Sequence, residues 1–195
     1  MQGISIREAC ERILRFPTVA DKTFLIHIGD RTVGGLVSQD QFVGPWQVPV
    51  SNVGVTLKDH YSKKGEAMAR GERTPVATIS PPASGRLAVA EAITNILAAP
   101  VNNISDIKFS ANWMSSIKTD IQKQALFDTV QAITLDFCSK IGLTIPVGKD
   151  SLSMQTTWRE ENIDKEITAP LSVIISAFAP IENVTKTITP QLKVS

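Results

Sequence analysis

Cysteine is nearly absent. The 195-residue chain has two, Cys10 and Cys138, far apart and without a C-x-x-C context, so neither a disulfide framework nor a zinc site is indicated. They read as two buried or semi-buried thiols in a reducing cytosol. A surplus of positive charge is missing too: 20 Lys plus Arg face 19 Asp plus Glu, a net charge of +1. Proteins that neutralise many phosphates of a nucleic acid carry a clear basic excess, so no nucleic-acid partner is expected. Nor is there a long apolar run. The most apolar window, Leu171 to Ile181, is closed by Pro170 and Pro180 and is about half the length that spans a bilayer. Met1 to Phe16 mixes Arg7, Glu8, Glu11, Arg12 and Arg15 among its apolar residues, which excludes the uncharged core of a signal peptide. No nucleophile elbow, HExxH or Cys/His pairing occurs, which disfavours a lone-chain hydrolase. What is present is an ordinary globular composition, 43% hydrophobic and 20% charged, at a length that suggests one domain with its own core. A soluble, cytoplasmic protein with no membrane partner is expected.

Ile4, Ile6, Ala9, Ile13 and Leu14 recur at helical spacing and predict an opening helix that ends before Pro17. Phe24 to Ile28 and Thr32 to Val37 read as strands around a Gly29-Asp30 turn, and Val48 to Leu57 as a further strand after a shaped loop. Three helices are predicted: a short one over Gly65 to Arg70, one from near Pro82 to Leu97 and one over Ile121 to Ile141, with Gly142 as its stop. Val76 to Ile79, Ile107 to Ser110, Thr144 to Val147, Leu152 to Trp158 and Leu171 to Phe178 read as strands, with a charged hairpin loop over Trp158 to Lys165. This order points to an α/β two-layer sandwich with a mixed, largely antiparallel sheet covered by helices on one face. The polar end, Thr185 to Ser195, reads as a cut between domains.

Gly148-Lys149-Asp150-Ser151 resembles the end of a phosphate-binding P-loop, but Asp150 fills the hydroxyl position and Gly142 stands one residue out of register. The P-loop is rejected, and the segment remains a glycine-bearing turn at a candidate site edge. Glu91 and Asn95 lie at i and i+4 of a helix otherwise rich in Ala, Ile and Leu, which stacks their oxygens on one face. Two readings stand side by side: a solvated polar edge, or oxygen ligands of the kind Mg2+ accepts. Small and polar residues gather at element junctions: Lys22, Gly29-Asp30-Arg31, Asp40-Gln41, Ser51-Asn52, Gly71-Glu72-Arg73-Thr74-Pro75 and Ser110-Ala111-Asn112-Trp113. Turn geometry alone explains many of them. Asp30-Arg31 reads equally as a salt-bridged turn or as a phosphate or metal contact. His27 and His60 have no partner at metal spacing and read as structural and surface residues, respectively.

Seven ordered runs carry a resemblance over about Lys22 to Leu192: GDRTVGG at Gly29 to Gly35, DQFVGPWQVPV at Asp40 to Val50, GEAMARGERTP at Gly65 to Pro75, EAITN at Glu91 to Asn95, SANWM at Ser110 to Met114, PVGKDSLSM at Pro146 to Met154 and PLSVIISAFAP at Pro170 to Pro180. They are similar to the large, single-chain phosphoribosylformylglycinamidine synthases of purine biosynthesis. More narrowly, they resemble the second aminoimidazole-ribotide-synthetase-like N-terminal domain of those enzymes. The resemblance implies an ATP- and glutamine-dependent ligase that converts formylglycinamide ribonucleotide into the amidine. It implies a barrel shared with a pseudo-symmetric partner domain, and an auxiliary Mg2+ and ATP/ADP site lined by this domain. The positions that match its metal ligands are Asn52, Glu91 and Asn95. Ser51 matches a nucleotide contact, and Lys22 and Asp30 are further nucleotide-facing candidates. At Asn52 the family commonly has Asp, and at Gln122-Lys123 relatives often carry acids. The glutaminase triad, the first synthetase domain and the last domain with its DGG motif are not matched. The resemblance therefore implies one domain, residues 1–195, of a multidomain enzyme, inactive alone, whose partners are the remaining synthetase and glutaminase domains. The alternative is a catalytically silent scaffold that pairs with another synthetase domain, or as a homodimer with itself.

Overall fold

A computed structural model describes residues 3–28, 35–49 and 51–189. The chain divides into two compact units, Met1–Gly35 and Leu36–Ser195. In the first, helix α1 (Ile6–Arg15) begins at Ser5, whose hydroxyl accepts the Glu8 N–H at 3.2 Å, satisfying a donor that the helix start leaves unpaired. Glu8 with Arg12 and Arg7 with Glu11 form i,i+4 ion pairs along it. Helix α2 (Thr23–Ile28) occupies the run expected to be a strand. A short apolar run has no readable period, so neighbours decide its state. The Gly29-Asp30 turn and most of the strand expected over Thr32 to Val37 lie outside the described residues.

The second unit is built on a six-stranded sheet in the order β1-β4-β5-β10-β6-β7. Its strands are β1 (Val37–Gln39), β4 (Val53–Leu57), β5 (Gly65–Glu72), β6 (Lys108–Met114), β7 (Thr144–Ser151) and β10 (Ser172–Ile181). Every pairing is antiparallel except β6 with β7. Two small two-stranded sheets accompany it, β2 (Phe42–Val43) with β3 (Val48–Pro49) and β8 (Gln155–Glu160) with β9 (Ile163–Thr168). The β8–β9 hairpin turns at Glu161 and Asn162, both with positive φ.

Helices α3 (Thr74–Ala77), α4 (Pro81–Ile96) and α5 (Asp120–Gln131), with a wider π-helical continuation over Ala132–Cys138, complete the unit. Val89, Ala92 and Ile96 of α4 and Ile133 of the π segment join Val55, Ala67, Ala69, Phe109, Ala111, Ile175 and Ala177 of the sheet in one core. The sandwich with helices against a mixed, mainly antiparallel sheet is as expected. Contact is close where side chains are small. A Cβ on Gly71 would meet the Ala88 carbonyl oxygen at 2.0 Å, so α4 lies directly on the backbone of β5.

Five local expectations are corrected. Gly65 to Arg70 is strand, not helix, because Gly65, Ala67, Ala69 and Gly71 alternate into the buried face, and tertiary pairing overrides the helix propensity of Glu, Ala and Met. Val76 to Ile79 is not a strand: Pro75, pre-set for a first turn, starts α3 at this point. Gly148 to Ser151 continues strand β7 and makes no turn, and Ser110 to Trp113 is the middle of β6. Cys138 is buried, whereas Cys10 is exposed. Gln122 finds its reason in a reciprocal cap at the start of α5: it accepts from Thr119 N–H at 3.1 Å, and its own N–H reaches the Thr119 hydroxyl at 3.3 Å. No helix among the described residues is long and apolar enough to cross a membrane.

Candidate functional site

The β4 ladder against β5 ends at the pair Val53–Ala69. Beyond it, β5 continues for three residues paired with β10, so one edge of Arg70 to Glu72 has lost its strand partner. Backbone groups in that position need another acceptor or donor. Two side chains from one face of α4 supply them. Asn95 donates its Nδ2 to the Arg70 carbonyl at 2.9 Å, and Glu91 accepts the Glu72 N–H through Oε2 at 2.8 Å. The i,i+4 spacing places both on one face, and the close approach of α4 at Gly71 brings that face against the strand edge.

These bonds orient the remaining atoms. The second carboxylate oxygen of Glu91, Oε1, takes Arg73 Nη1 at 2.8 Å, with the Glu91 side chain 23% exposed. Arg73 Nη1 also donates to the Glu72 carbonyl at 2.8 Å. The Arg73 carbonyl accepts the buried Ser84 hydroxyl at 2.6 Å, tying this junction to the start of α4. Glu72 in turn accepts the Thr74 hydroxyl at 2.7 Å.

Asn52 stands exposed one residue before β4, where the ladder to β5 has ended. Glu91 and Asn95 meet at the end of β5. Ser51 is half-buried; its N–H donates to the Gln41 carbonyl at 3.2 Å and its hydroxyl to the Val53 carbonyl at 3.1 Å, shaping the entry to β4. Lys22 belongs to the first unit, where its ammonium donates to the carbonyls of Pro17 and Ala20, both at 2.6 Å. Asp30 lies outside the described residues. His60 is exposed, as expected. Of the residues now seen in the cluster, Ser84 carried no signal in the sequence; Arg73 stood out only as part of the GERTP junction, which does not announce the helix residue it meets.

A Mg2+ site needs oxygen donors, and among the described residues no three of His, Cys, Asp and Glu come together. The set expected from the resemblance is instead one carboxylate and two amide oxygens. It suits the ion in atom type. Glu91 Oε1 pairs with the Arg73 guanidinium, which a metal ion taking that oxygen would have to displace.

Elsewhere, a mainly apolar cavity of about 310 Å3 lies between α5 with its π continuation and the β6–β7 pair, with Trp113, Gly148 and Asp150 on its sheet side. The GKD run thus lines a cavity separate from Glu91, and it does so from a strand.

The family model for the FGAR-AT PurM_N-like domain matches residues 21–180. The structure of PurLQS from Thermotoga maritima superposes with a TM-score of 0.61 at 15% identity, over 88% of this chain and 25% of its own. T. maritima PurL complexed with ADP gives 0.55 at 17% identity, over 74% and 22%. The same protein complexed with FGAR gives 0.54 at 16% identity, over 74% and 21%. At these identities the likeness is one of fold, and the chain spans about a quarter of the length of PurLQS.

Proposed function

The chain belongs to the FGAR-AT PurM_N-like domain family, and from that premise we propose that it serves phosphoribosylformylglycinamidine synthase. That enzyme is the ATP- and glutamine-dependent ligase that amidates formylglycinamide ribonucleotide in purine biosynthesis. In this proposal the chain is one synthetase-like domain, inactive alone and cytoplasmic, working with further synthetase and glutaminase domains. Its own part is an auxiliary Mg2+–nucleotide site, with Asn52, Glu91 and Asn95 as metal ligands and Ser51 toward the nucleotide. A metal held there would neutralise phosphate charge.

One observation supports the reading: Asn95 and Glu91, one helical turn apart, each spend one polar atom on the backbone of β5, and the other carboxylate oxygen of Glu91 pairs with a cationic group, the Arg73 guanidinium. Ligands fixed by a second bond of their own hold a metal without ordering cost at the moment of binding. Calorimetry of the chain with ADP and Mg2+ tests it. Binding heat and a rise in melting temperature are expected, and their absence at millimolar nucleotide would sink the proposal.

The scaffold alternative has an observation of its own. The sheet face away from α4 leaves Met68 53%, Val147 59% and Phe178 40% exposed. An apolar patch of this kind suits pairing with another synthetase domain, or with a second copy in its place. Sedimentation showing only monomer at high concentration would count against the homodimer.

A further inference from the structure

Arg73 is rooted and free at once. Its carbonyl is held by Ser84, a buried side chain at the start of α4, while its side chain is 48% exposed. Both of its side-chain bonds, to Glu91 Oε1 and to the Glu72 carbonyl, come from Nη1. Nε and Nη2 have no partner among the described residues, so the fork keeps donors to spare. Glu91 is the one charged member of the Asn52, Glu91 and Asn95 set, and its charge is already matched by Arg73. A divalent ion arriving alone must compete with a guanidinium for the only anionic oxygen offered, with two neutral amides as its other ligands.

We propose that Arg73 is the exchangeable counter-ion of Glu91 and makes metal uptake conditional on nucleotide. When a metal takes Oε1, the released guanidinium needs an anionic partner. A nucleoside diphosphate supplies one, since phosphate oxygens match the guanidinium fork in pairs. Metal alone offers Arg73 nothing in return, and nucleotide alone leaves Glu91 without its cation. This inference rests on the nucleotide site proposed above and adds the order of dependence within it.

The test is Mn2+ uptake by the full chain, read as the loss of the free-ion paramagnetic resonance signal, with and without ADP. The parent is expected to take up Mn2+ weakly without ADP. Arg73→Gln is expected to bind Mn2+ alone about ten- to a hundredfold more tightly, the range that loss of one competing charged hydrogen bond allows. It should also lose most of the gain that ADP brings to the parent. Arg73→Lys keeps the charge beside Glu91 and should remain as weak as the parent for Mn2+ alone, which guards against a glutamine variant that folds poorly. A merely structural Arg73 would lower the melting temperature and leave Mn2+ uptake unchanged. Equal Mn2+ affinity in parent and Arg73→Gln, with the parent taking up Mn2+–ADP, overturns the exchange and spares the site. No uptake of Mn2+–ADP by the parent overturns the site and the exchange with it.

Discussion

Replacing Gly71 with alanine puts a methyl group in place of a hydrogen at the tight seam between α4 and the sheet. That carbon would stand 2.0 Å from the Ala88 carbonyl oxygen and 2.5 Å from the Ala92 amide nitrogen. Both are backbone atoms of a helix interior, so no rotamer change relieves the clash and the whole of α4 must lift. Overpacking of a core costs roughly 1–3 kcal/mol, occasionally more. Lifting α4 also loosens the Asn95 bond to Arg70 and the Glu91 bond to Glu72, of about 1 kcal/mol for a neutral pair and about 1.5–3 for a charged one. The sum, on the order of 3.5–7 kcal/mol, is a large part of the roughly 5–15 that holds a domain together. Thermal denaturation of the full chain should show a fall of roughly 7–28 °C. Gly54→Ala is the control, because its nearest neighbour would be the Met68 carbonyl at 3.9 Å; it should change stability by less than about 1 kcal/mol. A Gly71→Ala chain that melts within about 3 °C of the parent would refute the backbone contact.

Two further outcomes follow from single groups. The Asp59 carboxylate is held below the ordinary range, first by the Tyr61 N–H and then by the Ser62 N–H and hydroxyl. Its contribution is therefore complete above the unfolded-state value and disappears as pH falls through the folded one; Asp59→Asn should flatten the acid limb of melting temperature against pH, and an unchanged limb would count against the turn. Of the two thiols, Cys10 is exposed, while Cys138 is buried and its pKa is pushed up by that burial; iodoacetamide should label one thiol in the native chain and two in denaturant, and double native labelling would contradict the core.

What was legible in the sequence had a period long enough to count. α1, α4 and α5 repeat apolar residues over three or more turns and are bounded by Pro or Gly, and the alternation in Leu171 to Phe178 shows the sheet face directly. Gly65 to Arg70 failed for a physical reason: Glu, Ala, Met and Arg all favour helix, and only the even spacing of Gly and Ala records a helix lying on top. The site divides the same way. Glu91 and Asn95 share a face because of local spacing, which the sequence contains. Their partners, Arg70, Glu72 and Arg73, lie about twenty residues earlier, and that meeting depends on where β4 stops. Strand length is set by pairing between distant segments, so no local pattern announces it.

The two amides of the cluster then separate ligand from support, because they spend their atoms differently. Asn95 uses Nδ2 to hold the Arg70 carbonyl. Asn95→Asp removes that donor and faces a carboxylate toward a carbonyl, so stability should fall by about 1–3 kcal/mol. The same change adds a negative charge to the donor set, so Mn2+ should bind more tightly. Asn52 is exposed and precedes its strand, so Asn52→Asp adds the charge with little structural cost and should raise Mn2+ affinity at an unchanged apo melting temperature. If the cluster only completes the edge of β5, Asn95→Asp destabilises while neither variant moves metal affinity. If it is a ligand set, both variants move affinity in the same direction while their stabilities part. Resonance titration with Mn2+, beside thermal melts of the same samples, distinguishes the two, since an edge cap and a metal ligand make opposite demands on a charge at the end of β5.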